Sequence, residues 1–293
     1  MPDHSRNISI DPPVSPMLRP EAAPARRPAF RSRKQRLASR SRQQHLLKAL
    51  LLACLTAALL AGGLFSWGWI AAPSVSDLQA RVQAVDRAND APYTPLAQIS
   101  PLISHALIAT EDERFYQHHG IDVVGLARAA WDDLLAGKLI EGGSTLTEQL
   151  AKDVYLHGDD HTFSLKLEDM LLALKIEAHY SKSQILAFYL NRVYFGEGAY
   201  GIGAAAQRYF HRSPAQVDLA QAALLAGLVQ APSLDDPLCH PNAARARQQQ
   251  VLDRMLSVGD ITAAQAARAS QETLTFWSPA TGSQNAFCNT ALA

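Results

Sequence analysis

The chain has 293 residues, and its 27 Lys and Arg balance 27 Asp and Glu. That neutral total hides two opposed parts, because residues 1–48 carry 11 basic against 3 acidic side chains and the chain beyond Ile70 carries 16 against 24. The basic excess borders an apolar run, where it serves membrane topology rather than nucleic-acid binding, and no cysteine spacing resembles a zinc site.

Residues 1–45, rich in Pro, Arg and Ser, read as a disordered basic cytoplasmic tail. A transmembrane anchor follows at 46–72, centred on the 22 uncharged residues Ala49–Ile70. As a helix that run reaches about 33 Å, enough for a hydrocarbon core of about 30 Å. A cleaved signal peptide is the rival, with Ala71-Ala72 as small residues, but its apolar core is usually only about 7–15 residues long. The positive-inside rule places the N-terminus in the cytoplasm and the rest across the membrane. A stalk is expected at 73–92, a helical domain at 93–278 and a loose tail at 279–293. Within the domain, apolar spacings of three and four predict helices at Leu102–Tyr116, Thr145–Leu156, Lys166–His179, Ser183–Asn191, Leu219–Val229 and Ala243–Leu256. Cys54 falls in the membrane run. Cys239 and Cys288 lie outside, where a disulfide persists if the two meet; their spacing alone does not establish one.

Glu111 continues the helical row of Ile103 and Leu107, so a carboxylate stands on a stripe that should face the core. Desolvation there would raise its pKa toward that of a general base, whereas a frayed helix end would leave it solvated. Gly142 to Lys152 is a flexible loop running into a helix, a candidate anion site. Thr145 with Glu148 equally fits a capping box, and Glu148 with Lys152 an i,i+4 pair. Asp169 interrupts the stripe Leu165, Leu172, Ile176, and two such acids suggest a carbohydrate site. Gly196 to Gly201 matches G-x-G-x-x-G, but helical surroundings argue against a dinucleotide site. His157 and His161 sit in an apparent loop and make a poor metal pair.

Together these segments resemble the peptidoglycan glycosyltransferase family, which polymerises lipid II and occurs alone or fused to a penicillin-binding transpeptidase. Glu111-Asp112 with Phe115, His118 and Gly120 matches the first motif, E-D-x-x-F-x-x-H-x-G. Gly142, Ser144, Thr145, Thr147, Gln149 and Lys152 match the second; Tyr180 to Leu186, Tyr189 to Asn191, Tyr194 to Gly196, Ala226 to Ser233 and Val251 to Met255 match later segments in order. The resemblance implies an all-α, lysozyme-like two-lobed domain behind a single N-terminal transmembrane helix. It would stand on the periplasmic side of the bacterial inner membrane, in monofunctional form. Its implied partners are lipid II, the growing glycan strand and other cell-wall synthesis proteins, with no nucleic acid. Glu111 would be the base and Asp169 a second catalytic acid. Asp112, Arg114, Ser144, Thr145, Gln149, Lys152 and Lys166 would bind substrate. Mg2+ or Mn2+ beside the pyrophosphate also comes with the resemblance, though no ligand set in the sequence demands a metal.

Four positions depart from the family pattern: Glu148 stands for Gln, Asp153 for Asn, Leu165 for Arg and Asp169 for Glu. The first two add negative charge near a diphosphate, and the third removes a bidentate donor that Lys166 does not copy. Besides a polymerase, these changes keep open a weakened or silent homologue that binds lipid II or scaffolds cell-wall proteins, and a lytic muramidase using Glu111 as acid.

Overall fold

The computed structural model of the chain describes residues 33–88, 92–137, 143–156 and 163–277. Most of the basic tail, the C-terminal tail from 278, Gly142, Cys288 and the His157–His161 pair lie outside the described residues. The chain divides into two compact units, Met1–Gly62 and Gly63–Ala293.

In the first unit, α1 (Arg33–Ala71) carries Gln44–Ala71, 28 residues of mean hydropathy 2.1. Its Leu46, Leu50, Leu51, Leu55 and Leu59 side chains are all exposed. By length and composition this helix can cross a bilayer, where those leucines meet lipid instead of water.

The second unit begins with the last residues of α1 and continues with α2 (Leu78–Ala88), a 3-10 turn at Leu96–Gln98, α3 (Pro101–Glu111) and α4 (Val123–Ala136). Then come α5 (Leu146–Tyr155), α6 (Phe163–His179), α7 (Lys182–Arg192), α8 (Gly201–Phe210) and a 3-10 turn at Pro214–Gln216. The unit closes with α9 (Leu219–Leu228), α10 (Pro241–Val258) and α11 (Ala263–Gln271). Among the described residues there is no strand, only the isolated bridges His119–Ile121 and Tyr194–Tyr200. The expected all-α fold is what the chain adopts.

Helix α9 is apolar nearly all round, and Ala220 to Leu228 are buried without a break, so it needs partners on several sides. It finds them in α3, α10 and α11. A reciprocal capping box between Asp218 and Gln221 starts it at the surface. A second group gathers around α7, which packs on α2, α5, α6 and α8. One continuous hydrophobic cluster runs through both groups, from Ile103 and Leu224 to Leu150 and Ile185.

Two expectations are corrected. Helix α3 stops at Glu111 instead of running to Tyr116, because Asp112 leaves helical geometry (φ −155°, ψ 69°) to make contacts described below. The stretch expected as a stalk carries α2, whose Leu78 and Val82 join Val75 in the core. Polar residues between its few apolar positions hid that helix. Helices α4, α8 and α11 were likewise not among the predicted ones. Lys175 of α6 secures the end of α1, donating from Nζ to the carbonyls of Ala72 at 2.6 Å and Pro73 at 3.3 Å. A cation on these terminal carbonyls complements the helix dipole.

Candidate active site

The C-terminus of α3 meets the N-terminus of α5 where the two helix groups join. Thr145 caps α5, its hydroxyl accepting from Glu148 N and donating to the Gly120 carbonyl at 2.6 Å. Gly120 has φ of +90°, and a Cβ there would stand 2.9 Å from the Ala173 backbone, so only glycine fits this turn. Asp112 is buried. Its Oδ1 lies 2.9 Å from His118 Nε2, and its Oδ2 accepts from Leu146 N at 2.9 Å. Both oxygens therefore hold protein groups, and the same is true of the Thr145 hydroxyl. The structure gives these two residues the work of joining α3 to α5.

Released from that work, the preceding carboxylate is held for other use. Glu111 Oε2 accepts from Gln149 Nε2 at 3.2 Å, and Oε1 lies 3.5 Å from Arg247 Nη2. Gln149 is itself fixed, its Oε1 accepting from the buried Tyr189 hydroxyl at 2.7 Å. The Glu111 side chain keeps 13% exposure, so it is mostly desolvated yet reachable. Burial pushes its pKa above the ordinary carboxylate range, against the lowering effects of Gln149 and Arg247; nearby Asp112 adds to the rise. A largely buried carboxylate that keeps some exposure can take a proton from a bound hydroxyl.

One helical turn beyond Gln149 on α5 stands Lys152, at the start of a second cluster. Lys166 Nζ donates to Ser144 Oγ at 2.7 Å and forms an ion pair with the buried Glu148. Burial raises the Glu148 pKa, which Lys166 lowers and Asp169 raises. Asp169 behaves alike: burial lifts it, while Lys166 and Lys152 pull it down. Its Oδ1 is a buried atom without a hydrogen-bond partner among the described residues. The anticipated Glu148–Lys152 pair is thus replaced by Glu148–Lys166, since the α5–α6 packing brings Lys166 to the carboxylate. Asp153 is exposed, and its carbonyl accepts from Arg192.

The structure therefore brings together Glu111 with Gln149, and Ser144 with Lys166, Asp169 and Lys152. Arg114 is paired with the cap of α4: its Nε lies 3.4 Å from Oδ2 of Asp122. Arg247 was not anticipated. The usable signal was present, because it shares a helical row with the buried Val251, the same oddity that singled out Glu111.

Two other clusters carry less. The Gly196–Gly201 loop reverses the chain between α7 and α8, with no parallel sheet among the described residues. Beside it, Glu197, Asp236 and Cys239 approach within ligand spacing of one another. Cys239 is disulfide-bonded, however, and Glu197 already pairs with Arg208 at 2.6 Å. Asp236 is pushed up to about 6 by burial and by its hydrogen bond with Glu197. Mg2+ and Mn2+ seek oxygen ligands, whereas here one of the three groups is a disulfide sulfur and one carboxylate already holds an arginine. At the lysine cluster each acid is likewise answered by an ammonium group.

A family model described as "Transglycosylase" matches residues 78–256. Penicillin-binding protein 1A of Neisseria gonorrhoeae is 43% identical over 182 residues, 62% of this chain and 23% of that one. Penicillin-binding protein 1F of Bacillus subtilis (strain 168) is 42% identical over 177 residues, 60% and 25% of the two chains. The crystal structure of penicillin-binding protein 1A from Haemophilus influenzae aligns with 36% identity over 33% of this chain and 14% of that one, at a TM-score of 0.32. The matched region thus spans about a quarter of the curated relatives' length.

Proposed function

Because the chain belongs to the transglycosylase family, we propose that it is a membrane-anchored peptidoglycan glycosyltransferase that polymerises lipid II into β-1,4-linked glycan. Glu111 takes the proton of the acceptor GlcNAc 4-hydroxyl as that oxygen attacks C1 of the donor MurNAc. The configuration at C1 inverts and undecaprenyl pyrophosphate departs. Lys152 and Lys166, with Ser144 beside the latter, meet the negative charge as it develops on the leaving group. The apolar α1 holds the domain beside a bilayer in which the substrate also resides, with the N-terminus in the cytoplasm and the domain on the periplasmic side of the inner membrane. The observation that carries this reading is the Glu111 carboxylate: largely buried, gripped by Gln149 and facing Arg247, at the junction of the two helix groups.

The test is glycan formation by the full-length protein in detergent, from labelled lipid II resolved by chain length. The wild type is expected to build chains, and Glu111→Gln to lose on the order of 10²–10⁴-fold in rate, the usual contribution of a general base. One observation favours a second reading, that of a weakened or silent homologue: Glu148 occupies the ammonium of Lys166, one of the cations the leaving group needs. Lipid II binding by the wild type without any chain growth would establish that reading instead.

A further inference from the structure

We infer that Arg247 is a positioning residue for the base, holding the Glu111 carboxylate ionised and aimed inside a desolvated site. The inference rests on the polymerase reading for its kinetic consequence, though the pairing itself is a property of the fold. Arg247 lies on α10, and its guanidinium is bound at each nitrogen. Nε donates to the Gly227 carbonyl at 3.2 Å, Nη1 donates to Gln250 Oε1 at 3.1 Å, and Nη2 faces Glu111 Oε1 at 3.5 Å. The side chain is 15% exposed, so this contact is shielded from bulk water. Room for it comes from Gly227 of α9, where a Cβ would meet Arg247 Cγ at 2.9 Å. Three helices thus converge on one ion pair: α3 supplies the acid, α10 the cation and α9 the gap.

The charge logic is direct. Burial favours the protonated carboxyl, which cannot accept a proton, and an opposite charge within about 4–6 Å restores the ionised form. The other groups facing Glu111 are Asp112, the Tyr189 hydroxyl and the neutral Gln149. Asp112 opposes ionisation, Gln149 supports it through one neutral hydrogen bond, and Tyr189 acts through Gln149. Arg247 is the cation of the set; it also faces Asp235, whose pKa it lowers against burial.

The experiment compares the full-length wild type with Arg247→Met and Arg247→Lys. The pH profile of kcat/KM for lipid II polymerisation reports the free enzyme's base. Arg247→Met is expected to move the acid limb upward by about 1–2 pH units, and Arg247→Lys to restore part of that shift. A uniform fall in rate with the limb unmoved would overturn the assignment, since a merely structural role acts equally at every pH. Infrared titration of the Glu111 carboxyl, identified by its absence in Glu111→Gln, gives a readout without turnover. An upward shift in Arg247→Met supports the pairing even if the wild type makes no glycan. An unmoved titration refutes it even if the wild type is fully active.

Discussion

Two largely buried acids, Glu111 at the end of α3 and Glu148 in the first turn of α5, live under opposite arrangements. Glu111 meets a neutral amide on one oxygen and a guanidinium at 3.5 Å on the other, and its side chain keeps some exposure. Glu148 is more deeply buried and clamps the Lys166 ammonium, which also binds Ser144. At the first position the protein surrounds one acid with groups that leave it ready to act. At the second, two acids and two lysines share and partly cancel their charge. The base end should therefore fail at a single substitution, whereas the cation end should lose or gain activity in smaller steps.

Breaking the base end short of Glu111 itself tests the first half of that contrast. Gln149→Ala removes the donor to Glu111 and leaves the buried Tyr189 hydroxyl without its acceptor. A misaimed base costs on the order of a hundredfold, so kcat for glycan formation is expected to fall by about that factor. Lipid II affinity should change far less, and a loss confined to KM would contradict the assignment. At the cation end, Asp169→Ala removes an acid poised between Lys152 and Lys166, with one oxygen left for a partner. A reduction of at least about tenfold in turnover is expected, within the range of a misplaced active-site group. Unchanged turnover would mean that Asp169 is a structural acid only.

The smallest effect sharpens the comparison most, because its sign is reversed. Glu148→Gln keeps the shape and removes the charge that Lys166 now answers. With Lys166 released toward the diphosphate, the donor KM should drop by about threefold, in the range of one exposed charge interaction. A rise in KM would show that Glu148 is needed to hold Lys166 in place. The wild-type pH profile belongs to the same contrast. As the proposed base, Glu111 would have to be ionised, and burial raises its pKa. Activity should therefore be complete above that raised value and disappear as pH falls through it, at a higher pH than an ordinary carboxylate would give. Rates that stay flat down to the usual carboxylate range would remove Glu111 from the base role.

Much of the helical organisation could be read locally. The uncharged run became a helix able to span a bilayer, and the apolar spacings of α5, α6, α7, α9 and α10 marked those helices with end errors of a few residues. A carboxylate on the apolar row of Ile103 and Leu107 was enough to draw attention to Glu111. The same rule applied to Val251 would have drawn attention to Arg247, yet it says nothing of which acid that arginine meets. Helix α2 was lost because its two buried leucine and valine positions are too few to show a period among polar neighbours.

Periodicity and composition determined by themselves the long apolar run, the helices α5, α6, α7, α9 and α10 and the identity of the ionisable groups, because those depend on spacing along one segment. Only the tertiary structure decided that Asp112 ends α3 by binding Leu146 N, that Lys166 goes to Glu148 instead of standing free, and that α9 opens a gap for Arg247 to reach Glu111. Each of those outcomes joins segments far apart in the chain. Burial and charge pairing at such contacts act through space, where the order of residues carries no distance.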